Sequence, residues 1–278
     1  MASKSARQAV RLSPRERQVL AFMAEHTLVV RRQVEMLTGG SAATTGHGLA
    51  GLLHRGYVRV ENGIGEPCWL IRRAGLDAVA SGLPVPKLKF GTYAHSVGLA
   101  WLWLAARAGA FGPVAEVIGE RRMRSHDGGD ISPQELYSVR LGGYAADGRE
   151  HRHYPDVLLI DPHGRRLALE LELSRKEVLA RRRILGGYAA DRRLDGVLYL
   201  VENTLEGGSI ARGLRETATE MGLLDRVHIR RVNPILPDPA GGAAHGGREA
   251  GRATRRPPLR PGRCAAPAPA RPPAEAGR

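Results

Sequence analysis

The 278-residue chain has only two cysteines, Cys68 and Cys264, which are too few for a disulfide framework or a cysteine-ligated zinc site. It also lacks a long apolar run. The longest apolar helix candidate, residues 97–106, is ten residues long, whereas a helix needs roughly 20 apolar residues to span a bilayer. Residues 1–12 are basic and lack the apolar core of a secretion signal. These absences favour a cytoplasmic protein with no membrane partner.

Acidic residues are scarce as well. The chain has 28 Asp and Glu residues against 42 Lys and Arg residues, and its formal net charge at pH 7 is +14. A strongly basic chain attracts polyanions, because Lys and Arg side chains that neutralise phosphates supply most non-specific nucleic-acid affinity. Double-stranded DNA is therefore the expected partner, and a membrane surface is the weaker alternative. The hydrophobic content of 42% supports globular cores.

The N-terminal part has the pattern of three helices followed by a hairpin. Ser13-Pro14-Arg15-Glu16 combines an N-cap, a first-turn proline and a capping-box glutamate, so a first helix is predicted to begin there. A second helix should end at Gly39-Gly40, and a third should occupy residues 41–56. Two short strands, 57–61 and 68–72, follow. This order is typical of a winged helix-turn-helix domain, in which the third helix reads DNA.

Helical phase places several polar side chains on the outer face of the third helix, because Leu49, Leu52 and Leu53 should face the core. The candidates for DNA binding on this helix and the strand that follows it are Thr44, His47, Arg55 and Arg59. The alternative is that this module only packs or dimerises.

Composition also predicts where the domains divide. A basic arm (residues 1–12) precedes the winged helix-turn-helix domain (residues 13–82), and a proline-containing linker (residues 83–92) follows it. Residues 93–237 then alternate between helix and strand patterns, which predicts a mixed α/β (α+β) domain. Residues 238–278 are rich in Pro, Gly, Ala and Arg, so a disordered tail is predicted there.

Two acidic motifs, Tyr154-Pro155-Asp156 and Glu170-Leu171-Glu172, belong to a predicted β-hairpin. Residues 157–160 are continuously apolar, Asp161-Pro162-His163-Gly164 is typical of a turn, and residues 167–173 form the returning strand. Side chains alternate along a strand, so Glu170 and Glu172 should share one face. Carboxylates within an apolar strand are costly unless a cation meets them, which favours a shaped acidic site. The alternative is a set of solvated acids at an exposed edge.

Carboxylate pairs of this kind suit a hard divalent cation. Mg²⁺ or Mn²⁺ prefers oxygen ligands, and Asp156 and Glu170 could hold one ion against a phosphodiester. A nearby lysine would then orient the attacking water or stabilise the leaving charge.

These motifs resemble the PD-(D/E)XK nuclease superfamily, in which a proline-aspartate on one strand precedes an acid-x-lysine triplet on the next. Pro155-Asp156 and Glu170 match, whereas Glu172 stands where the superfamily has lysine. The resemblance implies a restriction-endonuclease-like domain with a mixed central sheet. It implies that Lys176 supplies the missing cation, that Glu120 is a further acidic ligand on an earlier helix, and that Tyr188 contacts DNA.

The whole arrangement looks like the replication-relaxation family of actinobacterial plasmids and mobile elements. The resemblance covers residues 13–235 and includes the helix start Tyr93-Ala94-His95-Ser96 and the run from Glu170 to Lys176. It implies a DNA-binding protein of plasmid or mobile-element replication and relaxation, with other replication or conjugation proteins as further partners. Whether the chain is a metal-dependent endonuclease, with Asp156, Glu170, Glu172 and Lys176 as catalytic residues, stays open. The alternatives are a non-catalytic regulator, a replication accessory or a repressor.

Overall fold

The three predicted N-terminal helices are present. The computed structural model describes residues 11–63 and 65–233, so the predicted tail and most of the basic arm lie outside the described residues. Helix α1 (Pro14–Glu25) begins with the predicted capping box, in which the Ser13 and Glu16 side chains each accept a hydrogen bond from the other residue's backbone N–H. Helix α2 (Arg31–Thr38) ends at Gly39, whose φ of 63° is the left-handed conformation that glycine adopts easily. Ser41 caps α3 (Ala42–His54) by accepting from the Thr44 N–H.

A small antiparallel sheet packs with these helices. Strand β1 (Val29–Val30) lies between α1 and α2, and β2 (Val58–Glu61) and β3 (Cys68–Ile71) form the predicted hairpin. The strand order is β1-β3-β2. Strand β1 was not predicted, because two residues are too few to show an alternating pattern. A short helix, α4 (Arg73–Ala78), follows.

The predicted linker packs against the N-terminal helices, the small sheet and α5. Leu83 is buried among the N-terminal helices, and Leu88 packs beside the small sheet. A 3-10 helix (Phe90–Thr92) leads directly into α5 (Tyr93–Arg107). On α5, Ala100 and Leu104 face the N-terminal helices, whereas Leu102 and Ala106 face the central sheet. The described residues therefore form one compact unit, in which α5 is shared.

The remaining elements build a five-stranded sheet with helices and a small second sheet. In chain order they are β4 (Glu116–Gly119), α6 (Glu120–Asp127), β5 (Val139–Tyr144), β6 (Glu150–His153), β7 (Val157–Ile160), β8 (Arg166–Glu172), α7 (Val178–Ala190), β9 (Gly196–Glu202), α8 (Leu205–Glu220) and β10 (Val227–Val232). The central order is β10-β9-β8-β7-β4. Strands β8, β9 and β10 run parallel, whereas β4, β7 and β8 pair antiparallel. The prediction of an α/β fold with a mixed central sheet is confirmed.

Two local features differ from what the sequence indicates. The polar, glycine-rich residues 125–133 are typical of a loop, but α6 continues to Asp127. The Asp127 carboxylate accepts the backbone N–H groups of Tyr137 and Ser138 at 2.9 Å each, which anchors the chain that returns after the helix. The two-stranded sheet of β5 and β6 was not predicted, because its strands are polar and half exposed and so give no clear alternating pattern.

The two faces of β8 have different roles. Leu169 and Leu171 pack with α5 residues on one side of the sheet. Ala168 packs with residues of α7 and α8 on the other side, and Glu170 and Glu172 share this second face because their numbers have the same parity. The predicted alternation along this strand is confirmed. Among the described residues, no helix has the length and apolar character that crossing a membrane requires.

Candidate functional site

Asp156 and Glu170 lie across from each other where the β7–β8 ladder ends. Val157 pairs with Leu169 in this antiparallel ladder, so the next positions along the two strands are Asp156 and Glu170. Asp156 Oδ2 accepts the Leu171 backbone N–H at 2.7 Å, which holds the carboxylate against the neighbouring strand. The exposed fractions are 8% for Asp156, 4% for Glu170 and 5% for Glu172. The predicted hairpin therefore carries three buried acids, where β7 begins and β8 ends in the middle of the sheet.

Two histidines that the sequence analysis did not assign to the site contact these acids. His95 Nε2, in the first turn of α5, lies 3.2 Å from Asp156 Oδ2. His153 Nε2, at the end of β6, lies 2.8 Å from Glu170 Oε1. Both imidazoles are partly exposed, whereas their carboxylate partners are buried. His153 is three residues from Asp156 in the chain, but its partner is Glu170. It belongs to the two-stranded sheet, whereas Glu170 belongs to the central sheet.

Tyr188 belongs inside this cluster. The resemblance implied that this tyrosine contacts DNA, but the side chain is buried and its hydroxyl donates a hydrogen bond to Glu170 Oε1. Burial raises the pKa of the Tyr188 hydroxyl well above its ordinary value, and the neighbouring charge of Glu170 adds to this effect. The hydroxyl therefore remains a protonated donor that helps to hold Glu170.

The protonation of the cluster reflects a balance between burial and charge. Burial raises the pKa of Glu170, and the nearby Asp156 carboxylate raises it further. Burial alone would lower the pKa of His95 and His153, but their carboxylate partners outweigh this effect, so both pKa values are raised from 6.5. A positive imidazolium is thus favoured beside each acid.

Glu172, where the resemblance expects lysine, has a lysine as its partner. Lys176 lies in the loop between β8 and α7, and its ammonium group forms an ion pair with Glu172 Oε2. The Glu172 side chain is 6% exposed, whereas that of Lys176 is 37% exposed. The structure therefore brings a partly accessible cation to the acidic cluster from outside the strand.

Glu120 lies at the border of the cluster. It begins α6, and its backbone N–H donates to the Asp156 carbonyl oxygen at 3.2 Å. Its carboxylate accepts a hydrogen bond from Arg124 at 2.7 Å. The negative charge of Glu120 also contributes to the raised pKa of His95. The predicted acidic ligand is thus near Asp156 but is paired with an arginine.

The predicted DNA-binding residues on α3 and β2 fall into two groups. Thr44 and His47 are exposed, as helical phase predicted. Arg55 was also expected to face outward, but its guanidinium forms an ion pair with Glu16 and lies 5.4 Å from the centre of the Tyr57 ring. Arg59 forms an ion pair with Glu61. Both arginines therefore have partners within the protein.

The donor set can be compared with what magnesium requires. Within the described ranges, no three His, Cys, Asp or Glu side chains are arranged to hold an ion by themselves. The hydrogen bonds from described residues fall on Asp156 Oδ2 and Glu170 Oε1, so one oxygen of each carboxylate remains for another ligand. Protein Mg²⁺ sites often use one or two carboxylates and complete the shell with waters and phosphate oxygens. Asp156 and Glu170 fit that pattern.

Comparison of the chain with protein-family models and with curated proteins finds no match.

Proposed function

We propose that this chain binds double-stranded DNA and uses the Asp156–Glu170 centre to contact or cleave the phosphodiester backbone, in plasmid or mobile-element replication or relaxation. One observation carries the nuclease part of this proposal: two buried carboxylates lie across from each other at the end of the β7–β8 ladder in a chain of net charge +14. Buried carboxylates are costly unless charges and hydrogen bonds compensate them, and α5, β6 and α7 each supply a partner here. Lys176, a partly exposed lysine paired with Glu172 on the same strand face as Glu170, suits a phosphate partner.

The N-terminal part supports DNA binding. Three helices and a three-stranded antiparallel sheet follow one another in the order typical of winged helix-turn-helix domains. Because Arg55 and Arg59 are in ion pairs, Thr44 and His47 are the better candidates for groove contacts on this face. The His47 side chain makes no hydrogen bond or ion pair with any described residue, whereas the Thr44 hydroxyl lies 3.0 Å from the Ser41 hydroxyl.

The residues of the acidic centre have distinct roles in this proposal. Asp156 and Glu170 would hold a Mg²⁺ or Mn²⁺ ion, which when bound would polarise the phosphodiester and favour a water-derived nucleophile. His95, His153 and Tyr188 fix the two carboxylates through hydrogen bonds. Lys176 contributes positive charge at the accessible side of Glu172.

A nicking assay tests the enzymatic form of the proposal. Supercoiled plasmid is incubated with the full chain and Mg²⁺, Mn²⁺ or EDTA, and wild type is compared with Asp156→Asn and Glu170→Gln. Cutting that requires the metal and is lost in both variants supports the proposal. The matched control is Asp161→Asn, because Asp161 lies in the turn of the same hairpin, at the end opposite Asp156. Equal loss in the control would reject a specific role for the centre.

A second candidate is a non-catalytic DNA-binding regulator or replication accessory. It is favoured by the finding that Asp156, Glu170 and Glu172 all have protein partners: His95 and Leu171 for the first, His153 and Tyr188 for the second, and Lys176 for the third. In this case the chain binds duplex DNA tightly, cuts under none of the metal conditions, and retains its affinity in Asp156→Asn.

A further inference from the structure

An exposed aromatic ring with two lysines near it precedes α5. Phe90 is 71% exposed, whereas Phe22 is buried and Phe111 is half-buried. Lys87 and Lys89 are also exposed, and their ammonium groups form no ion pair with any described residue. Residues 87–90 thus present two uncompensated positive charges and one apolar ring to solvent.

The backbone of this segment is anchored. Pro86 is buried, and Leu88 packs against a cluster that includes Cys68 of β3 and Val97 of α5. The Lys89 carbonyl oxygen accepts hydrogen bonds from the N–H and the hydroxyl of Thr92, both at 3.0 Å. Alternate residues therefore point into the protein and hold Lys87, Lys89 and Phe90 at its surface.

The segment leads into α5, whose first turn contacts both the loop of the small sheet and the acidic centre. The Tyr93 hydroxyl donates to the Glu66 carbonyl oxygen, in the loop between β2 and β3, at 2.9 Å. Two residues later, His95 contacts Asp156. Phe90 precedes His95 by five residues of helical backbone, which at 1.5–2.0 Å per residue is a rise of about 10 Å or less. A strand that reached the acidic centre could contact Phe90 at the same time.

We propose that residues 87–90 bind an unpaired stretch of DNA, with the Phe90 ring stacked on a base and Lys87 and Lys89 against phosphates. This inference rests on the proposed function, because it assumes that DNA is the partner. Aromatic rings beside positive charges are how proteins commonly hold single strands without sequence preference. Base faces inside a duplex are already stacked on one another, so the ring selects an unpaired strand. This places an opened strand next to Asp156.

Oligonucleotide binding tests the inference. A fluorescein-labelled 20-mer is titrated with the full chain by anisotropy, both single-stranded and as a duplex. Phe90→Ala should weaken single-strand binding about tenfold and change duplex binding less than about twofold. Lys87→Gln with Lys89→Gln should weaken single-strand binding and reduce its salt dependence. The matched control is Leu224→Ala, since Leu224 is an exposed apolar residue just before β10, at the other end of the central sheet.

Two further variants separate stacking from a general apolar contact. Phe90→Trp should retain the affinity, and its added indole emission should be quenched by the single strand, after subtraction of the wild-type signal. Phe90→Leu should lose affinity as Phe90→Ala does. The inference is overturned if Phe90→Leu binds the single strand as tightly as Phe90→Trp, or if Phe90→Ala binds it as tightly as wild type. Normal duplex binding in these variants would leave the proposed function intact. Failure to bind either oligonucleotide would overturn both. Phe90-dependent binding to anionic vesicles without strand binding would also reject the inference and indicate a lipid surface.

Discussion

His153 Nε2 lies 2.8 Å from Glu170 Oε1, and this pair joins two different sheets. His153 ends β6 of the two-stranded sheet, whereas Glu170 lies in β8 of the central sheet. The Tyr188 hydroxyl donates to the same carboxylate oxygen from α7. Three separate elements therefore meet at one buried acid, and loss of any donor leaves that acid less well compensated.

Substitution of His153 should destabilise the fold. In His153→Ala, Glu170 keeps Tyr188 but loses its imidazole partner, and an under-satisfied buried carboxylate costs about 1–3 kcal/mol. Urea unfolding of the protein in EDTA measures this cost. His151→Ala is the control on the same strand, because the His151 side chain makes no hydrogen bond or ion pair with any described residue, and such changes are usually within about 0.5 kcal/mol. Equal stability of the two variants would show that the His153 contact contributes nothing.

The Glu172–Lys176 pair should behave as a coupled unit. Lys176→Met leaves the buried Glu172 carboxylate without its cation. Because Lys176 is itself partly exposed, we expect a loss of roughly 1 kcal/mol rather than the larger cost of a fully buried pair. Adding Glu172→Gln should recover most of that loss, since it removes the uncompensated charge. A double-mutant cycle from urea unfolding measures the coupling, and additive effects would contradict the pairing.

The Asp127 carboxylate should make the stability of the protein depend on pH. Burial alone would raise the pKa of its carboxyl, but hydrogen bonds from Ser138 and the Tyr137 N–H outweigh burial and hold the pKa below 3.8. A lowered folded-state pKa stabilises the protein above the unfolded value, and this contribution is lost as the pH falls below about 3.8 through the folded-state pKa. Asp127→Asn should therefore cost about 1–3 kcal/mol at pH 7 and less near pH 3.

Urea unfolding at the two pH values checks this prediction. The exposed Asp130 lies in the loop after α6, so Asp130→Asn provides a nearby control that should have little effect at either pH. A cost for Asp127→Asn that is the same at both pH values would show that the charge of Asp127 is not what anchors the returning chain.

Substitutions at Arg55 and His47 should have separate effects on the stability of the protein and on its affinity for DNA. Arg55 pairs with Glu16, and its Nε donates to the Gly51 carbonyl oxygen at 3.2 Å. Arg55→Ala should therefore lower the free energy of unfolding by about 1 kcal/mol. His47→Ala should leave stability unchanged within about 0.5 kcal/mol and weaken duplex binding. Thermal unfolding measures the stability of each variant, and anisotropy with a labelled duplex measures its DNA affinity. Weaker duplex binding in Arg55→Ala but not in His47→Ala would place the DNA contact at Arg55.

Local sequence signals determined much of the fold. The capping box at Ser13, the glycine at position 39 and the turn at residues 161–164 act within a few residues, so the helix ends and the hairpin could be predicted from the chain alone. The two-residue period of β8 likewise predicted that Glu170 and Glu172 share a face. These features depend on backbone geometry and side-chain alternation, which are local properties.

Only the tertiary structure decided which side chains surround the acids. His95, His153 and Tyr188 come from α5, β6 and α7, and Tyr188 was predicted to face DNA rather than Glu170. The partner of Arg55 was likewise out of reach, because Glu16 lies 39 residues away. A sequence shows which residues can be charged or polar, but contact between distant residues depends on how helices and strands pack. The acidic hairpin was therefore determined locally, and the pairing of each acid was determined by the fold.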